Sequence, residues 1–177
     1  SKNAETLSFS ERYKILHKLC GDFTQKAKIK LKVTGLENIP KDEPVYYVSN
    51  HQGTLDPISL IAANPNPMTF ISKAENLKLP VISKWGKLIE FVTFDRDSFE
   101  ENVAMLRQSS RLLKQGKSVL VFPEGTRSKQ QDLLPFKAGA LHPAYLSKVN
   151  IVCVTQNYGY QCDGFKNIQN TIDIHFH

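Results

Sequence analysis

The strongest constraint on this chain is a recurring pattern in which short apolar runs, bounded by turn residues, alternate with stretches of helical spacing. Residues 45–48, 68–71, 91–94, 119–122 and 151–155 read as strands. Between them lie helical segments: Ile58, Leu60, Ile61 and Ala62 in the first, residues 81–88 in the second, then Val103, Leu106, Leu112 and Leu113, and residues 138–146. Strands that alternate with helices predict an α/β fold, a single domain with a mostly parallel central sheet flanked by helices. Ile29, Leu31 and Val33 alternate with Lys30 and Lys32 as a half-exposed strand ending near Gly35, and residues 171–176 alternate as a final strand. A length of 177 residues suits one domain with a sizeable core. The chain has no internal repeat, low-complexity segment or interdomain linker.

An amphipathic helix precedes this pattern. Phe9, Tyr13, Leu16, Cys20 and Phe23 fall on one stripe, widened by Ile15 and Leu19. Arg12, Lys14 and Lys18 flank it, and Lys26, Lys28 and Lys30 follow. Two readings fit: a helix lying in a membrane interface with its lysines against lipid phosphates, or a helix packed on the protein's own core with a solvated basic rim.

Charge and cysteine content narrow the function classes. A formal net charge of +6 points to an acidic partner: nucleic acid, an anionic membrane, a phosphorylated substrate or an acidic carrier protein. Nucleic acid is disfavoured, because basic and aromatic residues do not interleave and no helix-turn-helix pattern is visible. Cys20, Cys153 and Cys162 are widely spaced and form no C-x-x-C, so neither a disulfide framework nor a zinc site is expected, and a reducing compartment is. Cys153, in a strand, is expected to be buried. The longest apolar stretch, residues 58–63, is too short to span a bilayer, and no signal peptide is expected.

Two motifs carry chemistry. His51 and Asp56 are spaced H-x-x-x-x-D across a strand-to-helix junction, where a loop containing Gly53 can fold the carboxylate back onto the imidazole. Such a pair can take a proton from a hydroxyl as it attacks a carbonyl. The bland alternatives are an Asp56 N-cap before Pro57 and a loop histidine. His17 and Asp22 share the spacing, but inside a helix five residues turn them to different faces. The second motif, Phe122-Pro123-Glu124-Gly125-Thr126-Arg127-Ser128, opens directly from a strand end and offers backbone N–H groups, a hydroxyl and a guanidinium to a phosphate or oxyanion. Asp95-Arg96 puts a further guanidinium at another strand end, or forms a surface pair of little consequence.

Together these residues resemble the glycerophosphate and lysophosphatidate acyltransferase family. Asn50-His51-Gln52-Gly53-Thr54-Leu55-Asp56 is similar to its first block, Phe94-Asp95-Arg96 to its second, and Phe122 through Ser128 to its F-P-E-G-T-R-S third block. The lead-in around Gly35-Leu36-Glu37-Asn38, the Lys73-containing segment and Phe136-Lys137-x-Gly139 follow in the family's order. The resemblance implies an acyltransferase domain over residues 28–177 behind a helix over 1–27. His51 is then the general base and Asp56 its orienter. Arg96 and Arg127, helped by Lys73, hold the acceptor's phosphate, and Glu124, Gly125 and Thr126 belong to the acceptor pocket. The implied reaction moves an acyl group from acyl-coenzyme A or acyl carrier protein to 1-acylglycerol-3-phosphate, giving phosphatidate by direct attack. It needs no metal or cofactor, and would take place peripherally on the cytoplasmic side of an anionic membrane. Another lysophospholipid, glycerol phosphate or an amino-acid lipid as acceptor, or a silent lipid-binding module, are the alternatives. Two departures stand out: Glu90 where the second block usually opens with Gly, and 149–154 without the two prolines of the fourth block.

Overall fold

The computed structural model describes residues 6–95, 98–165 and 170–177. Seven strands form one sheet: β1 (Lys30–Thr34), β2 (Val45–Ser49), β3 (Met68–Lys73), β4 (Val92–Phe94), β5 (Ser118–Val121), β6 (Asn150–Asn157) and β7 (Thr171–Phe176). Their order across the sheet is β1-β7-β6-β2-β5-β3-β4. Every neighbouring pair is parallel except β6 and β7, so the edge pair β7 and β1 runs against the other five. The α/β expectation of a mostly parallel sheet therefore holds, with a reversed edge. β2 and β5 are buried at every position, as interior parallel strands covered on both faces must be. β1, the edge, instead alternates and puts Lys30, Lys32 and Thr34 into solvent, which blunts pairing with another chain.

Helices cover both faces. α1 (Phe9–Lys26), α2 (Asp56–Ala63) and α3 (Pro80–Leu88) lie over one, where Tyr13, Leu16, Leu60, Ile61 and Ile89 pack on Val45, Tyr47, Met68, Phe70 and Leu120. α4 (Phe99–Lys114) and α5 (His142–Ser147) lie over the other, where Leu112, Leu113 and Ala144 meet Tyr46, Val48, Val119 and Val121. That second layer includes no β6 residue, which is why Cys153 is exposed rather than buried as the strand pattern suggests.

The helix stripe of α1 divides in two. Tyr13, Leu16 and Cys20 are fully buried, each such side chain contributing roughly 1.5–3 kcal/mol in the aliphatic or aromatic case. Ile15, Leu19 and Phe23 remain 44%, 50% and 37% exposed. The helix starts at a Ser8–Glu11 capping box, and Tyr13 donates its hydroxyl to the Asn64 carbonyl at 2.9 Å. His17 and Asp22 do not meet: His17 bonds the Ile61 carbonyl and Asp22 pairs with Lys18.

Glu90, the residue in place of the family's usual glycine, has φ +57°. That left-handed conformation explains why glycine suits the position. Here the carboxylate is used instead as a clasp, accepting from Arg12 of α1 at 2.6 Å and from Lys117 before β5. The positions of the missing fourth-block prolines are Asn150 and Cys153; Asn150 starts β6 and donates to Glu43 at 2.7 Å.

Candidate active site

Adjacent parallel strands β2 and β5 send the chain in opposite directions, toward β3 through α2 and toward β6 through α5, over opposite faces of the sheet. A crevice at the carboxyl ends of such strands is where open α/β sheets place their ligands. His51 follows β2 and Glu124 follows β5, so the two motifs meet there.

Asp56 is the first residue of α2, preceded by a Leu55 cap with no side-chain bond, so it is not the N-cap. Its side chain turns back into the loop. Oδ2 accepts from His51 Nδ1 at 2.8 Å, from the Gln52 amide at 2.5 Å and from the Gly53 amide at 2.8 Å. The carboxylate is fully buried, while the His51 side chain keeps 17% exposure. A carboxylate on Nδ1 favours the tautomer with its proton there and the lone pair on Nε2. The imidazole is fixed on its flat side as well, stacked on Phe122 with ring centroids 4.0 Å apart. This is the arrangement of a base oriented by an acid.

The third block closes around this pair. Glu124, 3% exposed, accepts from the His51 amide at 2.7 Å and the Leu134 amide at 2.8 Å. Its carboxylate thus links the loops that follow β2 and β5. Ser128 and Lys129 donate their amides to the carbonyls of His51 and Gln52, joining the two blocks side by side. Gly125 sits at φ +67°, and Lys137 of the F-K-x-G segment bonds back to Pro123. Thr126 and Arg127 are exposed. One guanidinium nitrogen of Arg127 donates to the Thr54 hydroxyl at 2.5 Å, which places that cation over the His51 loop. Lys73 ends β3, two strands from β2, and pairs with Glu75 at 2.9 Å. Arg96 lies outside the described residues. Among the described residues no group of three His, Cys, Asp or Glu side chains could hold a metal ion.

A family model described as Acyltransferase matches residues 30–156, which run from the first strand through both motifs to one residue short of the end of β6. The chain belongs to the acyltransferase family. It is 38% identical over 149 residues to a probable 1-acyl-sn-glycerol-3-phosphate acyltransferase of Mycoplasma pneumoniae, covering 81% of this chain and 55% of that one. It is 39% identical over 127 residues to a chloroplastic 1-acyl-sn-glycerol-3-phosphate acyltransferase of Arabidopsis thaliana, covering 71% of this chain and 35% of the relative. The chain thus spans about half the length, or less, of these relatives. The crystal structure of the 1-acyl-sn-glycerophosphate acyltransferase of Thermotoga maritima superposes with a TM-score of 0.77 at 26% identity, over 93% of this chain and 67% of that one.

Several contacts around this pair are not visible in the motifs themselves. Gln52, 1% exposed, accepts from the Gly159 amide at 3.2 Å. Asn50 exchanges bonds with the Gln156 backbone at 2.8 and 2.7 Å, tying the ends of β2 and β6. Thr54 links Arg127 to Asp163, whose carboxylate accepts the Thr54 amide at 2.7 Å. Cys162 is buried near Asp56 and Asp163; burial first, then those two negative charges, push its thiol up from the ordinary range. The thiolate is the nucleophilic form, so this cysteine is a poor candidate for an acyl carrier.

Proposed function

We propose that this domain transfers an acyl group from a thioester to the free hydroxyl of 1-acylglycerol-3-phosphate, giving phosphatidate. The observation that carries the reading is the His51–Asp56 pair at 2.8 Å, set at the carboxyl edge of the sheet beside Arg127. In the proposed step His51 Nε2 accepts the acceptor's hydroxyl proton as its oxygen attacks the thioester carbonyl. The tetrahedral intermediate expels the thiolate, which recovers the proton from the imidazolium that Asp56 stabilises. No covalent enzyme intermediate is needed, and the raised Cys162 thiol supports direct attack. Arg127 holds the acceptor phosphate in a fork, Lys73 and Arg96 add charge, and Thr126 lines the approach. Glu124 and Gly125 shape the turn that carries Arg127.

Acyl-coenzyme A and acyl carrier protein are both acidic and both suit the +6 charge. The domain reaches a bilayer-borne acceptor peripherally, from the cytoplasmic side, through Ile15, Leu19 and Phe23 on α1 with Lys14, Lys18 and Lys26 around them. Among the described residues no helix is long and apolar enough to cross a membrane. The test is product analysis by mass spectrometry with either thioester donor. Phosphatidate is expected from lysophosphatidate, and a monoacylglycerol lacking the phosphate should react at least about 100-fold more slowly, a difference on the scale of a lost charged clamp. Equal rates with both acceptors would contradict the assignment of Arg127 to the phosphate.

A further inference from the structure

The family match ends at residue 156, yet the next few residues form a wall of the site. Of the two carboxylate oxygens of Asp56, Oδ2 takes all three hydrogen bonds, while Oδ1 is buried with no hydrogen-bond partner. What Oδ1 faces is Gly159: a Cβ built on that glycine would stand 2.3 Å from it. The approach is mutual, because a Cβ on Gly53 would stand 2.6 Å from the Gly159 carbonyl oxygen. The Gly159 amide is in turn held by the buried Gln52 side chain at 3.2 Å. Four residues on, in the same 3-10 turn (Gly159–Phe165), Asp163 fixes the Thr54 amide at 2.7 Å, and Thr54 fixes Arg127 at 2.5 Å.

We infer that this turn is a positioning clasp with two separable effects: Gly159 seats the Asp56 carboxylate under His51, and Asp163 sets Arg127 through Thr54. The inference rests on the proposed acyl transfer for its kinetic consequences but not for its geometry. With a bare glycine face against Oδ1, the carboxylate can neither rotate nor withdraw, so the three N–H groups stay converged on Oδ2. An alanine forces it back by about an ångström and disturbs the base without touching the phosphate side. Removing the Asp163 carboxylate frees the Thr54 amide and lets Arg127 drift, without touching the dyad.

Gly159→Ala, Asp163→Ala and Asp163→Asn are to be compared with unaltered protein and with Gly21→Ala, where a Cβ meets nothing within 4 Å. Two readouts are taken on samples that unfold cooperatively: amide resonances in a two-dimensional NMR spectrum, and kcat and KM for lysophosphatidate from thiol release. Gly159→Ala should move the Gln52 and Gly53 amide signals and lower kcat about 10²-fold with KM nearly unchanged, the order expected for an ångström of misplacement. Asp163→Ala should move the Thr54 amide and raise KM about five- to ten-fold with kcat nearly unchanged, as for the net loss of one ordinary hydrogen bond. Asp163→Asn, which still offers an acceptor to Thr54, should restore KM. The inference is overturned if the Gln52 and Gly53 signals stay in place in Gly159→Ala, if both alanine variants lose kcat and KM alike, or if asparagine fails to rescue. Should the unaltered protein release no thiol with any acceptor, the acyl-transfer reading falls, and the amide signals alone still decide the clasp.

Discussion

Replacing Glu90 by Gln tests whether a strained residue has been kept for its charge. Glu90 holds a left-handed backbone at φ +57° and bridges Arg12 of α1 to Lys117, the residue before β5. Lys117 also lies 5.1 Å from the centre of the Phe9 ring, so the clasp fastens the amino end of α1 to the sheet. Burial works against ionisation of Glu90, but the bonds and charges of Lys117 and Arg12 outweigh it and hold the carboxyl below its ordinary range. Glutamine preserves the backbone and the shape and removes only the charge. About a third of the Glu90 side chain is exposed, so each pair is taken at the screened value of roughly 0.2–1 kcal/mol, giving about 1 kcal/mol for the two. For a domain of this size that is about 2–4 °C in Tm. A group whose folded pKa is depressed contributes stability above its unfolded value and loses it as pH falls through the folded one. The gap between unaltered protein and Glu90→Gln should therefore be full at pH 7 and shrink below about pH 4. Thermal unfolding of both proteins at several pH values measures it. A gap that is absent at pH 7, or that persists undiminished at pH 3, refutes the clasp.

Three further outcomes are expected. Arg127→Lys should raise KM for lysophosphatidate about ten-fold in steady-state assays while sparing kcat, because a point charge replaces a planar fork. Ile15→Glu combined with Leu19→Glu should leave Tm almost unchanged, since both side chains are half exposed, yet abolish sedimentation with phosphatidylglycerol vesicles; unchanged sedimentation would remove α1 from the membrane contact. Gly35→Ala should cost about 2 kcal/mol or more in urea unfolding, because φ is +78° and the new Cβ would stand 1.9 Å from the Phe176 carbonyl oxygen.

Most strands were legible because interior parallel strands are continuous apolar runs, and residues 171–176 alternated as β7 does. Its direction was not legible: alternation is the same for a parallel and an antiparallel neighbour, and only the β6 register reveals the reversal. The α1 stripe left core and membrane open because periodicity marks an apolar face without saying what covers it. The structure buries Tyr13, Leu16 and Cys20 and leaves Ile15, Leu19 and Phe23 outside. At the site, His51 and Asp56 were readable as a pair, although Asp-Pro also fitted a cap. Glu124 carries no local sign of its bonds to the His51 and Leu134 amides. Gly159 was hidden for a similar reason, since its partner Gln52 lies 107 residues away and a lone glycine in a loop gives no hint of what it faces.

In the proposed reaction His51, oriented by Asp56, activates an acceptor alcohol toward a thioester. The most direct measurement is free thiol release from an acyl thioester with and without lysophosphatidate, by unaltered protein and by a folded His51→Ala variant. Acceptor-dependent release is expected, and a fall of at least about 10²-fold in His51→Ala, the usual contribution of a positioned base, would mark the role of His51. Acceptor-dependent release that survives His51→Ala within a few-fold would contradict it.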